Sequence, residues 1–197
     1  LKLPPKVAPI QCIIVPVAMQ KAGVKEKAQE LFDSLKKKFR MELDLRDNYT
    51  PGFKFNDWEM RGVPVRIEIG PRDIENGVAV LVRRDTLEKE TVELSNLENR
   101  LNELLEDIQK NMYNTCLKRR KEKTTVAYTL DEILKNLNEN QGYVKTMWCG
   151  DVACEDKVKE VTGAHSRCIP FEQEHIADVC PVCGKKATTM IVWGRQY

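Results

Sequence analysis

Four cysteines carry the most specific spacing in the chain. Cys149-Gly-Asp-Val-Ala-Cys154 and Cys180-Pro-Val-Cys183-Gly form two pairs separated by residues 155–179. In the second pair the turn lets two thiolates face one ion, and Gly184 permits the backbone conformation that donates amides to sulfur. Four thiolates close a tetrahedral site, so the expected ion is a structural zinc rather than a catalytic one. The competing reading is two independent pairs of buried or redox-active thiols. A small C-terminal domain buries little apolar surface, which gives it a reason to need a metal staple. Cys168, His165 and His175 lie between the pairs. Histidines in such loops are commonly surface residues, and these three are left outside the expected ligand set. Cys12 and Cys116 fall on apolar faces and are expected in the core.

The second concentration of chemistry is Asp44–Asp73, DLRDNYTPGFKFNDWEMRGVPVRIEIGPRD. It alternates basic, acidic and aromatic side chains beside strand-like runs, where a core segment would carry Val, Ile and Leu. Phe53, Phe55, Trp58, Glu59, Arg66, Arg72 and Asp73 are the residues of interest. Unpaired RNA bases are recognised by stacking on aromatic rings and by hydrogen bonds to their exposed edges. Arginine suits guanine O6 and N7, and a carboxylate accepts from the N1–H and N2–H of the same base. Arginine with Glu or Asp beside a phenylalanine is therefore chemistry for an unstacked guanine. For Phe53 and Trp58 the core reading is preferred over a stacking platform.

Composition narrows the alternatives. The chain has 197 residues, 42% hydrophobic and 31% charged, with a net charge of +2. Near-cancellation of charge argues against a protein that coats nucleic acid through its bulk field. With two histidines and no Ser/His/Asp or Cys/His/Asn pattern, nucleophilic catalysis has no candidate constellation. Walker-type and Rossmann glycine patterns are absent as well. No signal peptide is evident, and the apolar run Cys12–Ala18 is too short to cross a bilayer. Seven cysteines without a secretory context point to a reducing compartment. The Leu start and the Pro-Pro that follows it are read as a linker, the beginning of a fragment.

The elements that must position these residues are readable from periodicity. Ile10–Ala18 is a continuous apolar run, expected as a buried strand of a parallel or mixed sheet. Val24–Phe39 has helical spacing at Ala28, Leu31, Phe32, Leu35 and Phe39. Met41–Leu45 reads as a second strand. A turn at Tyr49–Gly52 leads into a short helix over Phe53–Arg61. Val63–Ile69 alternates as a half-exposed strand with Arg66 and Glu68 outward, broken by Gly70-Pro71. Val78–Arg83 and Glu90–Leu94 complete a sheet as a hairpin. Leu97–Lys123 is the longest helical pattern. Beyond a boundary placed near Thr124, Thr129 stands three residues before Glu132 as a capping box for a helix to Asn138. Tyr143–Trp148, Glu155–Val161 and Thr188–Trp193 are then expected as strand, helix and strand.

LPPKVAPIQ, the Asp44–Asp73 stretch, LVRRDT, the four cysteines and the final WGRQY, in this order, resemble the C-terminal half of prolyl-tRNA synthetases of the archaeal/eukaryotic-like type. The resemblance covers essentially the whole chain. It implies an α/β anticodon-binding domain over residues 1–123, a mixed sheet flanked by helices, with 1–9 as the linker from a catalytic domain. A small α+β zinc-binding domain over 124–197 follows, with Cys149, Cys154, Cys180 and Cys183 as ligands. Proline anticodons end in GG, so two guanines must be read. By the family's pattern Phe55 stacks on an anticodon base, and Glu59, Arg66, Arg72 and Asp73 supply polar contacts. Arg46 and Arg83 are weaker candidates, for phosphate contacts or internal salt bridges alike. The family also implies that the last residue, Tyr197, reaches the synthetase active site in the full enzyme.

The class II catalytic motifs are missing from this stretch, so the fragment alone is not expected to activate proline. The full enzyme is expected to use ATP and Mg²⁺, to act on proline tRNA as a cytoplasmic homodimer, and to have no membrane partner. Two competing classes are a free-standing RNA-binding accessory protein and a purely structural zinc protein.

Overall fold

The computed structural model describes residues 1–196. The chain divides into two compact units, Leu1–Asn114 and Thr115–Tyr197. The division falls inside the longest helix, ahead of the change in sequence character near Thr124.

The first unit is built on a five-stranded mixed sheet. Its strands are β1 (Cys12–Pro16), β2 (Met41–Leu43), β3 (Val65–Ile69), β4 (Val78–Arg83) and β5 (Lys89–Glu93), in the order β2-β1-β3-β4-β5. β1 is parallel to both β2 and β3, whereas β3-β4-β5 form an antiparallel meander. All five residues of β1 are buried, as expected for a central strand covered on both faces. One face carries α1 (Val24–Leu35) and α4 (Leu97–Glu122). Ala28, Leu31 and Leu35 of α1 and Leu97, Leu101, Leu104, Leu105 and Ile108 of α4 meet Ile14, Ile67 and Leu81 there.

The other face is covered by α2 (Pro51–Met60). Thr50 caps it, Oγ1 accepting from Phe53 N at 3.3 Å, and Pro51 begins it. A threonine cap followed by proline is a strong start signal, because proline presets φ where the amide would be unpaired anyway. Trp58 and Phe55 of α2 pack on Ile13, Val15 and Val63.

The second unit is a four-stranded sheet of β6 (Thr124–Val126), β7 (Tyr143–Trp148), β9 (Thr189–Arg195) and β8 (Ala164–Cys168), in that spatial order. β6 and β7 are parallel and the other pairs antiparallel. α5 (Leu130–Asn140) and α6 (Val152–Thr162) supply Ile133, Leu137 and Val158 to a core with Val144, Ile191 and Trp193. Thr129 caps α5 as expected, its Oγ1 accepting from Glu132 N at 3.2 Å, but the reciprocal bond falls one residue earlier than in a capping box, Glu132 Oε2 accepting from Tyr128 N at 2.7 Å.

Four expectations are corrected. β3 is not half-exposed: Arg66 is only 8% exposed, because α2 lies over the polar side of the strand. Cys116 is exposed rather than core, since the buried positions of α4 end at Ile108. Phe53 is 49% exposed rather than core, whereas Trp58 is buried. Gly70-Pro71 starts a short helix, α3 (Pro71–Glu75), instead of only ending a strand. β6 and β8 were not anticipated; both are short and polar, without an apolar pattern to announce them. No helix among the described residues is long and apolar enough to cross a membrane.

Leu101 is fully buried between α4 and the first sheet. Leu101→Ala is expected to cost about 3 kcal/mol of stability, read as a lower denaturation midpoint with an unchanged slope.

Candidate nucleic-acid interface and metal centre

The segment Asp44–Tyr49 leaves β2 and turns into α2, and a buried carboxylate organises that turn. Asp44 is 3% exposed. Its Oδ1 accepts from Arg46 N at 3.1 Å and Nε at 3.0 Å, and its Oδ2 accepts from Arg46 Nη2 at 2.7 Å and Trp58 Nε1 at 2.8 Å. Lys54, 1% exposed, donates to the Asp44 carbonyl at 3.3 Å and lies 3.7 Å from Oδ1. Arg46 Nη2 also reaches Asp57 at 2.8 Å. Burial alone pushes the Asp44 carboxyl up, but the hydrogen bonds from Arg46 and Trp58 outweigh it and hold the group down at about 2. Burial lowers the Lys54 ammonium, with Asp44 opposing. These bonds tie the loop and the inner face of α2 together.

On one flank of α2, Arg66 of β3 links the candidate reading residues. Its Nη1 donates to Glu59 at 2.7 Å and its Nε to Glu68 at 2.9 Å. The guanidinium lies over the Phe55 ring, 4.1 Å from its centroid. The register explains the meeting: Ile13 pairs with Arg66, so both point to the face that α2 covers. Phe55 and Glu59 are four residues apart and share one side of the helix. Arg66 is thus buried and engaged, holding Glu59 and Phe55 in place at the half-buried edge of the strand.

Arg72 and Asp73 stand apart from that trio on α3, which follows the carboxyl end of β3. Arg72 is exposed. One oxygen of Asp73 is spent on the backbone, accepting from Gly70 N at 2.7 Å. No hydrogen bond or ion pair joins these two to Phe55, Glu59 or Arg66 among the described residues. Arg46 and Arg83 are held in internal ion pairs, Arg46 as above and Arg83 on Asp85 through two bonds of 2.7 Å. Tyr197 lies outside the described residues.

Sequence reasoning missed the Asp44–Lys54–Trp58 network. The DLRD run and a lysine between two aromatics were visible, but only the turn of the chain reveals that they converge.

In the second unit the four cysteines converge. Their sulfurs all lie within 4.8 Å of one another. Cys149 is 3.7 Å from both Cys154 and Cys183. A tetrahedral metal–thiolate site with bonds of about 2.3 Å has sulfur–sulfur edges of about 3.8 Å, so the set fits a metal ion. The two pairs are built alike. Cys149 and Cys183 are each followed by a glycine in the left-handed region, Gly150 at φ 85° and Gly184 at φ 70°. In each, the amide two residues on, of Asp151 or Lys185, turns back to the sulfur. The Lys185 amide holds the Cys183 thiol down at about 7, while burial pushes Cys149 and Cys154 up. Gly184 is legible as a knuckle from the sequence, whereas only the structure shows the matching role of Gly150. Met147, Ala187 and Met190 seal the cluster with the buried Cys154 and Cys180. Cys168, His165 and His175 lie outside it. All seven cysteines are free thiols.

Comparison with known proteins finds a match within each unit. A family model described as an anticodon binding domain matches residues 11–104, and one described as prolyl-tRNA synthetase, C-terminal, matches residues 130–197. The chain matches the C-terminal part of proline–tRNA ligase. A proline–tRNA ligase of Alkaliphilus oremlandii (strain OhILAs) is 55% identical over all 197 residues. Those of Clostridium botulinum (strain Loch Maree / Type A3) and Oceanobacillus iheyensis are 53% and 52% identical over the same length. In each case the match covers 41% of the relative, so the chain spans less than half the length of these ligases.

Two outcomes test these centres. The folded-state value of about 2 for Asp44 lies below the usual carboxylate value of about 3.9. Its contribution, about 2 kcal/mol, is therefore fully present above about pH 4 and lost as pH falls towards about 2. Asp44→Asn is expected to lower stability by about 3 kcal/mol at neutral pH and to flatten the acid limb over that window in a denaturation series. Cys180→Ser is expected to lower bound metal by elemental analysis and to speed amide exchange in Thr115–Gln196, leaving the β1–β5 sheet unchanged. Undiminished metal content in that variant would refute the ligand assignment.

Proposed function

We propose that this chain is the anticodon-reading and zinc-bearing part of a cytoplasmic, ATP-dependent proline–tRNA ligase of the archaeal/eukaryotic-like type. Its partner is proline tRNA, whose GG-containing anticodon it reads. The observation that carries the proposal is the Phe55–Arg66–Glu59 cluster, held within a region that matches an anticodon binding domain. A fixed ring with a carboxylate beside it offers an unstacked guanine a platform and an acceptor for its N1–H and N2–H. The buried Arg66 acts through the other two, as a positioning residue. Arg72, exposed on α3, supplies the donor for O6 and N7 of a guanine. Asp73 caps α3 with one oxygen and offers the other to a base.

The four-cysteine centre is proposed to hold zinc as a structural ion, supplying the cross-link that the small second unit needs. Cys149, Cys154, Cys180 and Cys183 are its ligands. In the full ligase, ATP and Mg²⁺ belong to the catalytic domain. Homodimerisation and the approach of Tyr197 to the active site belong to that larger protein.

The test is binding to a proline tRNA transcript and to the same transcript with its two anticodon guanines replaced, at one moderate salt concentration, because phosphate contacts alone bind at low salt. The native anticodon should bind more tightly. Glu59→Gln and Arg72→Ala should each erase roughly 1–3 kcal/mol of that preference. Equal weakening on both transcripts would instead mark these residues as structural or phosphate contacts.

A further inference from the structure

The other flank of α2 carries a second aromatic feature that the reading above leaves unused. Tyr49 and Phe53 are stacked, ring centroids 4.3 Å apart and planes 11° from parallel. Both rings are exposed, Tyr49 at 40% and Phe53 at 49%. The Arg46 guanidinium lies 5.1 Å over the Tyr49 ring. Phe53 occupies one face of that ring at stacking distance, so the guanidinium lies across the other. The result is a three-layer ladder, Arg46–Tyr49–Phe53, whose last member is a half-exposed phenylalanine.

The ladder is rigid at its base. Arg46 is fixed by Asp44 and Asp57, and Phe53 N is held by the Thr50 cap. A ring fixed in this way loses little side-chain entropy when something packs on it. Tyr49, in the loop before the Thr50 cap, and Phe53, in the first turn of α2, both stand outside the apolar cluster that Trp58 and Phe55 form beneath the helix. Location adds a second argument. β1, β2 and β3 are parallel, and the loop carrying Arg46 and Tyr49 follows the carboxyl end of β2 as α3 follows that of β3. Ligands of such sheets bind beyond the carboxyl ends of the strands. The ladder therefore stands at the same edge as Arg72 and Asp73.

We infer that the Tyr49–Phe53 ladder is a stacking platform for a further unpaired base of the RNA loop, next to the bases read through Glu59 and Arg72. The inference rests on the anticodon reading proposed above. Stacking on a phenyl face is tolerant of base identity, since every base has a π-face. The platform thus contributes affinity and loop shape, while discrimination stays with the polar residues.

The experiment is fluorescence anisotropy of the full chain with a labelled proline anticodon stem-loop and with a loop whose two guanines are replaced, at several salt concentrations. Wild type, Phe53→Ala, Phe53→Leu and Phe53→Trp are compared, with a thermal melt of each. Phe53→Leu keeps apolar bulk at an exposed position and removes the ring, so it separates stacking from folding. Phe53→Ala and Phe53→Leu should each weaken binding about tenfold, equally on both loops and with an unchanged salt slope, and Phe53→Trp should retain it. Wild-type affinity in Phe53→Leu overturns the platform, while a persisting GG preference leaves the anticodon reading intact. Loss of affinity in Phe53→Leu with no GG preference in wild type supports the platform and sinks the base-specific reading. No binding of either loop by wild type overturns both.

Discussion

The buried Asp44 carboxylate is the constraint on which the candidate reading face depends. A charge taken out of water must be met by hydrogen bonds, and here five donors from three residues are drawn to it or to its own carbonyl. Those donors come from the loop after β2 and from the inner face of α2. Satisfying the carboxylate therefore fixes both elements at once. Removing it would strand Lys54, Arg46 and the Trp58 indole together, which makes this a cooperative joint rather than a set of separate contacts. The rotation of α2 about its own axis follows. With Lys54 and Trp58 turned inward, Phe55 and Glu59 face β3 on one flank and Phe53 faces outward on the other.

Arg66 shows how one residue can be chemically suited to a ligand and yet serve its neighbours. The sequence places it among plausible base contacts. Folding buries its guanidinium between Glu59, Glu68 and the Phe55 ring, where Nε and Nη1 are engaged by the two carboxylates. An unpaired charge there would be costly, so the paired arrangement keeps the Glu59 carboxylate and the Phe55 ring in fixed positions. Exposed groups such as Arg72 carry the opposite balance, free to move and inexpensive to redirect.

The second unit solves a different problem. Two cores of modest size, one beneath α5 and α6 and one around the sulfurs, share a four-stranded sheet. The repeated Cys-Gly knuckle brings amides to two of the sulfurs, offsetting the cost of holding thiolates out of water. Cys154, at the start of α6, gains from the positive end of that helix. A metal ion held by the four sulfurs would join β7, α6 and the loop before β9, adding to the small apolar cluster of Met147, Ala187 and Met190 around them.

Much of this was determined by the sequence itself. The apolar run of β1, the helical periodicity of α1 and α4, the Thr129 cap and the spacing of the cysteines each rest on local pattern, and each element formed where its pattern lies. The four sulfurs needed no knowledge of the fold to be named, because ligand type and spacing are local properties. What only the tertiary structure decided was which face each polar residue presents. Arg66 reads as outward in an alternating strand, yet α2 covers that side. Phe53 reads as core, yet the inward rotation of Lys54 and Trp58 turns it to solvent. Cys116 continues an apolar stripe that is fully buried only as far as Ile108 and last packs on the core at Met112. The physical reason is common to all three. Periodicity specifies that a side chain points to one side of its element, but burial depends on whether another element is packed there.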